Sequence, residues 1–465
     1  MSCKRVTDFA KVVGTGRIKM KEELVEMIRA REARIAVIGL GHVGLTTAAV
    51  FADAGFQVIG TDLKQQVIKA VSSGKCCIKE LGLNELVGKV VRQGRLEATT
   101  NTLQAVREAN IVIVCVQTPI TQDKEPSLTY LRKACETVRQ ELSKRKLIVV
   151  QSTMPPGTTK NVVVRILEEG SGLKCGKDFW LANCPERIVS GKAIQEFIEN
   201  VRIVGGYNSE SAEIAVELFK TVTKGDILTA DCTSAEAAKL AENAFRDVNI
   251  AFANELALIC EQINIDVIEA IKLANTHPRV TIHKPGCGVG GPCLPKDPYL
   301  LLHSVKEKHF KSKVIQPSRE LNDYMSRHTV ELVVEALRKL GKDVNESKVA
   351  VLGTAYKGEV DETRNSPAER IVCELMDLGA EVVVYDPFCE ESFGARKAKD
   401  VSEAVKVADC TVIVTDHKMF RELKLEKIRA LMNTNSALVD GRRIVDPVEA
   451  KKQGFAYYGI GRGVE

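Results

Sequence analysis

Arg34-Ile35-Ala36-Val37-Ile38-Gly39-Leu40-Gly41-His42-Val43-Gly44 is a short apolar run that passes straight into three glycines spaced G-x-G-x-x-G. The residues that follow, Leu45 to Ala54, have the composition of a buried helix, so the stretch reads as strand, tight turn and helix. In such a turn each glycine has its own task. Gly39 makes the bend, Gly41 lets a pyrophosphate approach the backbone, and Gly44 lets the helix pack closely on the strand. A second apolar run, Gln57 to Gly60, ends at Thr61-Asp62, which puts an acid 18 residues beyond Gly44. That is where a carboxylate takes the ribose hydroxyls of a dinucleotide; it would repel a 2′-phosphate, so the pattern favours NAD over NADP.

The same rhythm continues downstream. Ile111 to Val116 reads as a strand ending at Gln117-Thr118-Pro119, and Leu147 to Val150 as one ending at Gln151-Ser152-Thr153. Ligands of open parallel sheets lie beyond the carboxyl ends of strands, which places Thr118 and Thr153 to meet the cofactor. Leu181 to Gly191 reads as a loop carrying the charged pair Glu186 and Arg187, and Val201 to Gly206 as a late strand. From Thr233 to about Glu261 there is neither Gly nor Pro. This predicts one helix on the order of 40 Å long, a linker of the kind that often pairs subunits. Lys239, Asn243 and Arg246 share one of its faces, and Lys239 among alanines is a candidate base.

After a helix predicted over Ile265 to Ala274, His277-Pro278-Arg279 forms an exposed grip for an anion or carbonyl. Gly286 to Leu300 then holds four glycines and three prolines, which predicts a shaped loop. Within it Cys293 precedes Lys296 and Asp297, charges suited to tuning a thiol, and the glycines ahead of it would admit a bulky ligand. Helical stretches follow to about Gly341, with a polar turn expected at Pro317 to Asn322. A second unit of the same type opens at Lys348 to Leu352, and its turn, Gly353 to Gly358, lacks the full glycine pattern. It carries Lys357, with Arg364 beyond, a basic arrangement that suits a nucleotide diphosphate. Strands at Glu381 to Tyr385, Thr411 to Val414 and Leu438-Val439, with Asp440-Gly441-Arg442-Arg443 behind them, complete it.

The chain has 465 residues, 45% of them apolar, enough for two or three domains with real cores. The expected class is α/β: two Rossmann-like, doubly wound parallel-sheet domains joined by a long central helix and a helical dimerisation domain. The expected boundaries are a helical extension over 1–33, with its helix at Lys21 to Glu32, then 34–230, 231–335 and 345–465. Fourteen scattered cysteines and no amino-terminal apolar run point to reduced thiols in the cytoplasm. No window approaches a membrane span, no cysteine spacing suits zinc, and a net charge of +5 without basic, aromatic-interleaved blocks argues against nucleic acid.

Five motifs occur in one order: Gly39-x-Gly41-x-x-Gly44, Gln117-Thr118-Pro119, Pro185-Glu186-Arg187, Lys239-x-x-x-Asn243 and Gly290-Gly291-Pro292-Cys293-x-x-x-Asp297. On these the chain resembles the UDP-glucose/GDP-mannose dehydrogenase family from about Arg34 to its carboxyl end. The resemblance implies NAD-dependent oxidation of a nucleotide sugar's C6 alcohol to a carboxylate, without metal. Cys293 would be the nucleophile, Lys239 the general acid/base or oxyanion partner, and Asn243 its neighbouring donor. Glu186 and Asp297 would handle water and protons, and Thr118 would place cofactor and water.

By the same likeness Gly39, Gly41, Val43, Gly44, Asp62, Thr118, Thr153 and Arg364 would hold NAD. Arg187, Ile188, Lys239, Asn243, Arg246, Gly290, Tyr356, Lys357 and Arg442 would hold the sugar nucleotide. His277 and Arg279 would reach it from the other subunit of a homodimer or larger homo-oligomer. Pro185-Glu186-Arg187 and Asp297-Pro298-Tyr299 resemble the N-acetylhexosamine branch, which implies UDP-N-acetylmannosamine ahead of UDP-N-acetylglucosamine and UDP-glucose. Pro292, where that branch often has histidine, and Lys296-Asp297, as in the glucose branch, depart from it. Val67, five residues after Asp62, stands where relatives often carry arginine for the adenosine ribose, which implies weaker NAD affinity. A two-electron dehydrogenase would have no use for Cys293, and a binding-only sensor would not need the catalytic set.

Overall fold

The apolar runs Ile35–Ile38, Ile111–Val114 and Leu147–Val150 become strands buried at every residue, as parallel strands covered by helices on both faces are. In the computed structural model, which describes residues 19–308 and 310–463, the chain forms two units. These are Met1–Ala241 with Tyr299–His309, and Glu242–Pro298 with Phe310–Glu465.

The first unit is built on β1 (Ile35–Ile38), β2 (Val58–Thr61), β3 (Leu96–Thr99), β4 (Ile111–Val114), β5 (Leu147–Val150), β6 (Trp180–Asn183), β7 (Arg202–Gly206) and β8 (Ile227–Asp231). Their order is β3-β2-β1-β4-β5-β6-β7-β8, and β1 is flanked in register by Val58 on one side and Ile111 on the other. The chain reverses direction of growth between β1 and β4, so the ends of these two strands open the crevice where such sheets bind ligands. The sheet is not wholly parallel as expected: β7 runs antiparallel to β6, with Ala182 opposite Gly206. The connection between them is mostly loop with one seven-residue helix, Ala193–Glu199, and it turns the chain back at the carboxyl end of β6.

A helix over residues 19–30 precedes β1. Its Leu24 and Ile28 are buried in the first unit's core, and Arg29 pairs with Glu217 at 2.8 Å, so the helix is packed onto the unit. The remainder of the expected extension, residues 1–18, lies outside the described residues.

The long helix, Cys232–Gln262, has 31 residues and continues into the second unit. That unit's sheet holds β9 (Lys348–Leu352), β10 (Glu381–Tyr385), β11 (Arg396–Lys397), β12 (Cys410–Ile413), β13 (Ala437–Asp440) and β14 (Ala456–Gly459), all parallel, in the order β11-β10-β9-β12-β13-β14. Its crevice opens between β9 and β12.

Two expected features change. The polar turn at Pro317 to Asn322 is instead the start of one continuous helix, Ile315–Lys339. Pro317 sits in its first turn, where a missing N–H is not called on, and Arg319 and Asn322 are polar because they bond inward. The glycine-proline loop stops before Leu300: a short helix, Asp297–His303, begins at Asp297 with Pro298 in its first turn. Among the described residues no helix is long and apolar enough to cross a membrane, and no three His, Cys, Asp or Glu side chains gather to hold a metal.

Candidate active-site residues

In the first unit the three fingerprint glycines differ physically. Gly39 has φ +91°, and a Cβ there would stand 2.8 Å from the Cys115 carbonyl oxygen. A Cβ at Gly44 would overlap the Gly39 carbonyl. At Gly41 a Cβ would meet no protein atom within 4 Å, so nothing in the fold itself demands glycine there. That open approach beside the first turn of the helix His42–Asp53, where Val43 is half-buried, fits the close passage of a dinucleotide's pyrophosphate. Asp62 accepts the Leu40 N–H through Oδ2 and the Lys64 N–H through Oδ1, both at 2.9 Å. It therefore holds the glycine turn against the end of β2, and each oxygen keeps acceptor capacity for a hydroxyl.

Thr118 and Thr153 are brought together. The buried Thr118 hydroxyl donates to the Thr153 carbonyl and ties the loops that leave β4 and β5. Glu186 is no surface charge: it is buried, accepts the Arg187 N–H at 2.8 Å and pairs with Arg202 at 3.4 Å. Arg202, the first residue of β7, also donates to the Phe197 carbonyl at 2.7 Å and lies 4.2 Å from the Phe197 ring centre. Arg187 reaches the Val201 carbonyl at 2.7 Å, beside a half-buried Ile188.

Sequence reasoning missed both Arg202 and Glu236. Glu236, near the start of the long helix, is buried and accepts from the Gly157 N–H at 2.5 Å, the Thr159 N–H at 2.8 Å and the Thr159 hydroxyl. Burial pushes its carboxyl up, against the pull of those three bonds. It holds the turn that follows β5, three residues ahead of the half-buried Lys239.

In the second unit Asn243, buried on the long helix, donates to Asp297 Oδ2 at 2.6 Å. Lys296 Nζ stands 3.0 Å from Asp297 Oδ1, an ion-pair contact off the hydrogen-bond direction. The N–H groups of Lys296 and Asp297 both donate to the Cys293 carbonyl, at 3.0 and 2.8 Å. One turn of backbone therefore carries an exposed thiol at its head and a buried, asparagine-held carboxylate at its foot.

The glycines before Cys293 answer a need of the fold itself. A Cβ at Gly291, whose φ is +91°, would lie 2.7 Å from the Tyr356 ring, and one at Gly290 would lie 2.6 Å from the Asn365 carbonyl oxygen. The space that a side chain would take there is filled by the turn after β9. Gly291 is fastened there by its N–H to the Arg364 carbonyl at 2.9 Å and by Asn365 Nδ2 to its own carbonyl at 3.0 Å.

Burial first, then the negative charge of a Cys293 thiolate, raises the Tyr356 phenol above its ordinary value. Arg364 forks onto Glu362 at 2.9 and 2.6 Å, and Lys357 is exposed. Arg442 donates from Nε to the Val414 carbonyl at 2.6 Å, so Tyr356, Lys357 and Arg442 all stand beyond carboxyl ends of the second sheet. Arg246 is exposed on the long helix; His277 and Arg279 are exposed past the end of the helix Val267–Ala274.

Three profiles of one family match the chain in order: the NAD binding domain of the UDP-glucose/GDP-mannose dehydrogenase family over residues 33–223, its central domain over 233–324 and its UDP binding domain over 350–447. The chain is 42% identical over 430 residues to a UDP-N-acetyl-D-mannosamine dehydrogenase of Pyrococcus horikoshii, covering 92% of this chain and 99% of that one. It is 39% identical over 409 residues to one of Campylobacter jejuni, covering 85% and 98%. Among solved structures, UDP-D-ManNAc dehydrogenase from Pyrococcus horikoshii matches with a TM-score of 0.87 over 93% of this chain and 100% of that one, at 42% identity. NDP-N-acetyl-D-galactosaminuronic acid dehydrogenase from Methanosarcina mazei Go1 matches with a TM-score of 0.84 over 95% and 98%, at 35% identity. The chain belongs to the UDP-glucose/GDP-mannose dehydrogenase family.

Proposed function

We propose that the chain oxidises the C6 alcohol of UDP-N-acetyl-D-mannosamine to the carboxylate of UDP-N-acetyl-D-mannosaminuronate, with Cys293 as the covalent nucleophile. The relatives' names support the substrate. The observation that carries the chemistry is the turn in which the exposed Cys293 is followed by Asp297, itself held by Asn243 at 2.6 Å. NAD, held by the Gly39 to Gly44 turn, Asp62, Thr118, Thr153 and Arg364, supplies the hydride acceptor in each of two successive oxidations.

Lys239 takes the proton from the C6 hydroxyl, which leaves an aldehyde once the carbon-bound hydrogen departs as hydride. The Cys293 sulfur then adds to the aldehyde carbon, forming a C–S bond and a thiohemiacetal whose oxygen Lys239 and Asn243 hold. Loss of its carbon-bound hydrogen as a second hydride converts the adduct to a thioester. Water, activated by Glu186 or Asp297, attacks the thioester carbon; the C–S bond breaks, Cys293 regains its proton and the carboxylate leaves. Arg187, Ile188, Arg246, Gly290, Tyr356, Lys357 and Arg442 hold the nucleotide sugar.

The enzyme works in the cytoplasm as a homodimer, with three domains bounded at 34–230, 231–335 and 345–465. Phe245, Phe252 and Ile259, each seven residues apart, leave an exposed apolar stripe on the long helix. This supports a second copy packed along the helix, with His277 and Arg279 reaching the partner's substrate.

Replacing Cys293 tests the chemistry: Cys293→Ser abolishes uronate formation while NAD affinity, read by titration calorimetry, stays unchanged. Continued uronate production by that variant overturns the covalent route.

A further inference from the structure

The thiol loop has two ends, and one helix holds both. At its foot Asn243 bonds Asp297. At its head Asn254 accepts the Gly286 N–H through Oδ1 at 2.9 Å. Asn243 and Asn254 are 11 residues apart, three turns of helix, so they project from the same face about 16 Å apart. Asp247 lies between them on that face, four residues from one and seven from the other.

These groups are not isolated. Asn254 Nδ2 donates to Asn322 Oδ1 at 2.8 Å, and Asn322 Nδ2 donates to both the carbonyl and Oδ1 of Asp247 at 2.9 Å. Arg319 pairs with Asp247 Oδ1 and reaches Asp323 at 2.9 Å. Asp247, Asn254 and Asn322 have no exposure, and Arg319 has 1%. Two helices can pack with apolar side chains alone, and burying polar groups between them costs stability unless each is satisfied. The buried chain runs from Arg319 through Asp247, Asn322 and Asn254, and it ends on a loop amide. At the next residue Cys287 is seated in the core, its N–H on the Gly441 carbonyl at 2.9 Å and its carbonyl on the Ser326 hydroxyl at 3.1 Å.

We propose that Asn254, buttressed by the Asn322–Asp247–Arg319 chain, is a positioning residue that works with Asn243 as a two-point clamp, fixing the loop that presents Cys293. This rests on the reading of Cys293 as nucleophile. Asn254 sets where the thiol stands by acting through the loop, and it touches neither substrate nor cofactor.

The test compares wild type with Asn254→Ala and with Val333→Ala, a core truncation in the helix Ile315–Lys339 that has no bond to the loop. Hydrogen exchange across residues 285–297 should quicken about tenfold or more in Asn254→Ala, with amides of β9 to β14 within about twofold of wild type. Val333→Ala should lower overall stability without this selective change. In turnover, kcat of Asn254→Ala should fall about tenfold or more while KM for NAD and for UDP-N-acetylmannosamine stays within about twofold.

If Asn254→Ala does not fold, Asn322→Ala, which keeps the Gly286 acceptor but removes its support, is measured in the same way and should quicken loop exchange selectively. Loop exchange unchanged in a folded variant overturns the clamp, and quickened exchange with unchanged kcat overturns its link to the thiol. If wild type makes no NADH from any UDP-sugar, the functional reading fails while the exchange data still decide the clamp.

Discussion

Gly291→Ala isolates the reason for glycine beside the thiol. Two costs follow from the geometry. The residue has φ +91°, a conformation that costs a side-chain-bearing residue about 1–3 kcal/mol. The new Cβ would also stand 2.7, 2.9 and 3.0 Å from Cε2, Cδ2 and Cζ of Tyr356. Tyr356 is half-buried, and its displacement or that of the loop costs about 1–3 kcal/mol of overpacking. The total, about 2–6 kcal/mol, should appear as a lower urea midpoint for the second unit.

The two shares separate in a double-mutant cycle. In a Tyr356→Ala background Gly291→Ala should cost only its backbone share, leaving a coupling of about 1–3 kcal/mol. Gly291→Ala with a wild-type midpoint, or the same cost in both backgrounds, refutes the contact.

Gly41→Ala is the counterpart in the first unit. With no protein atom within 4 Å of its Cβ, it should leave stability within about 0.5 kcal/mol yet weaken NAD binding about tenfold or more by calorimetry. Unchanged NAD affinity would contradict the assigned approach of the pyrophosphate. Glu236→Ala strips the acceptor from three buried donors and should cost about 2–5 kcal/mol in urea unfolding; a wild-type midpoint would show that those donors find other partners.

For pH, burial alone would raise the Asp386 carboxyl. His417 at 3.1 Å and the N–H groups of Ala355 and Phe388 outweigh it and hold the group well below the usual carboxylate value. A depressed folded pKa gives stability that is present above about pH 4 and is lost as pH falls toward the folded value. Asp386→Asn should therefore flatten the decline of the urea midpoint between about pH 4 and 2, and an unaltered decline counts against the pairing.

The strands that organise both sheets were legible because β1, β4 and β5 are apolar at every position, and a sheet covered on both faces needs that. β8 was not, since its residues are mostly exposed and it lies at the sheet's edge, with no apolar run to announce it. β6, Trp180-Leu181-Ala182-Asn183, ends in a polar residue against Cys184-Pro185 and lacks the β-branched run of β1, β4 and β5, so Leu181 onward was read into the loop that follows. The helix face shared by Lys239 and Asn243 and the turn shared by Cys293 and Asp297 were legible because each spacing is local. Glu236 and Arg202 were not, since a buried charge is explained only by partners distant in sequence: Thr159 for one, Glu186 for the other. Asp247 and Asn254 went unremarked for the same reason, since their partners Arg319 and Asn322 lie far along the chain. The glycines at 290 and 291 read as room for a ligand, and the side-chain space there is taken by Tyr356 and Asn365, which lie far along the chain.

The central claim is four-electron oxidation at one carbon, and the most direct measurement is NADH formed per sugar consumed, run separately with UDP-N-acetylmannosamine, UDP-N-acetylglucosamine and UDP-glucose. The account predicts two NADH per UDP-N-acetylmannosamine, with the uronate as product and no free aldehyde. One NADH with aldehyde released into solution, or none with any of the three, would contradict it.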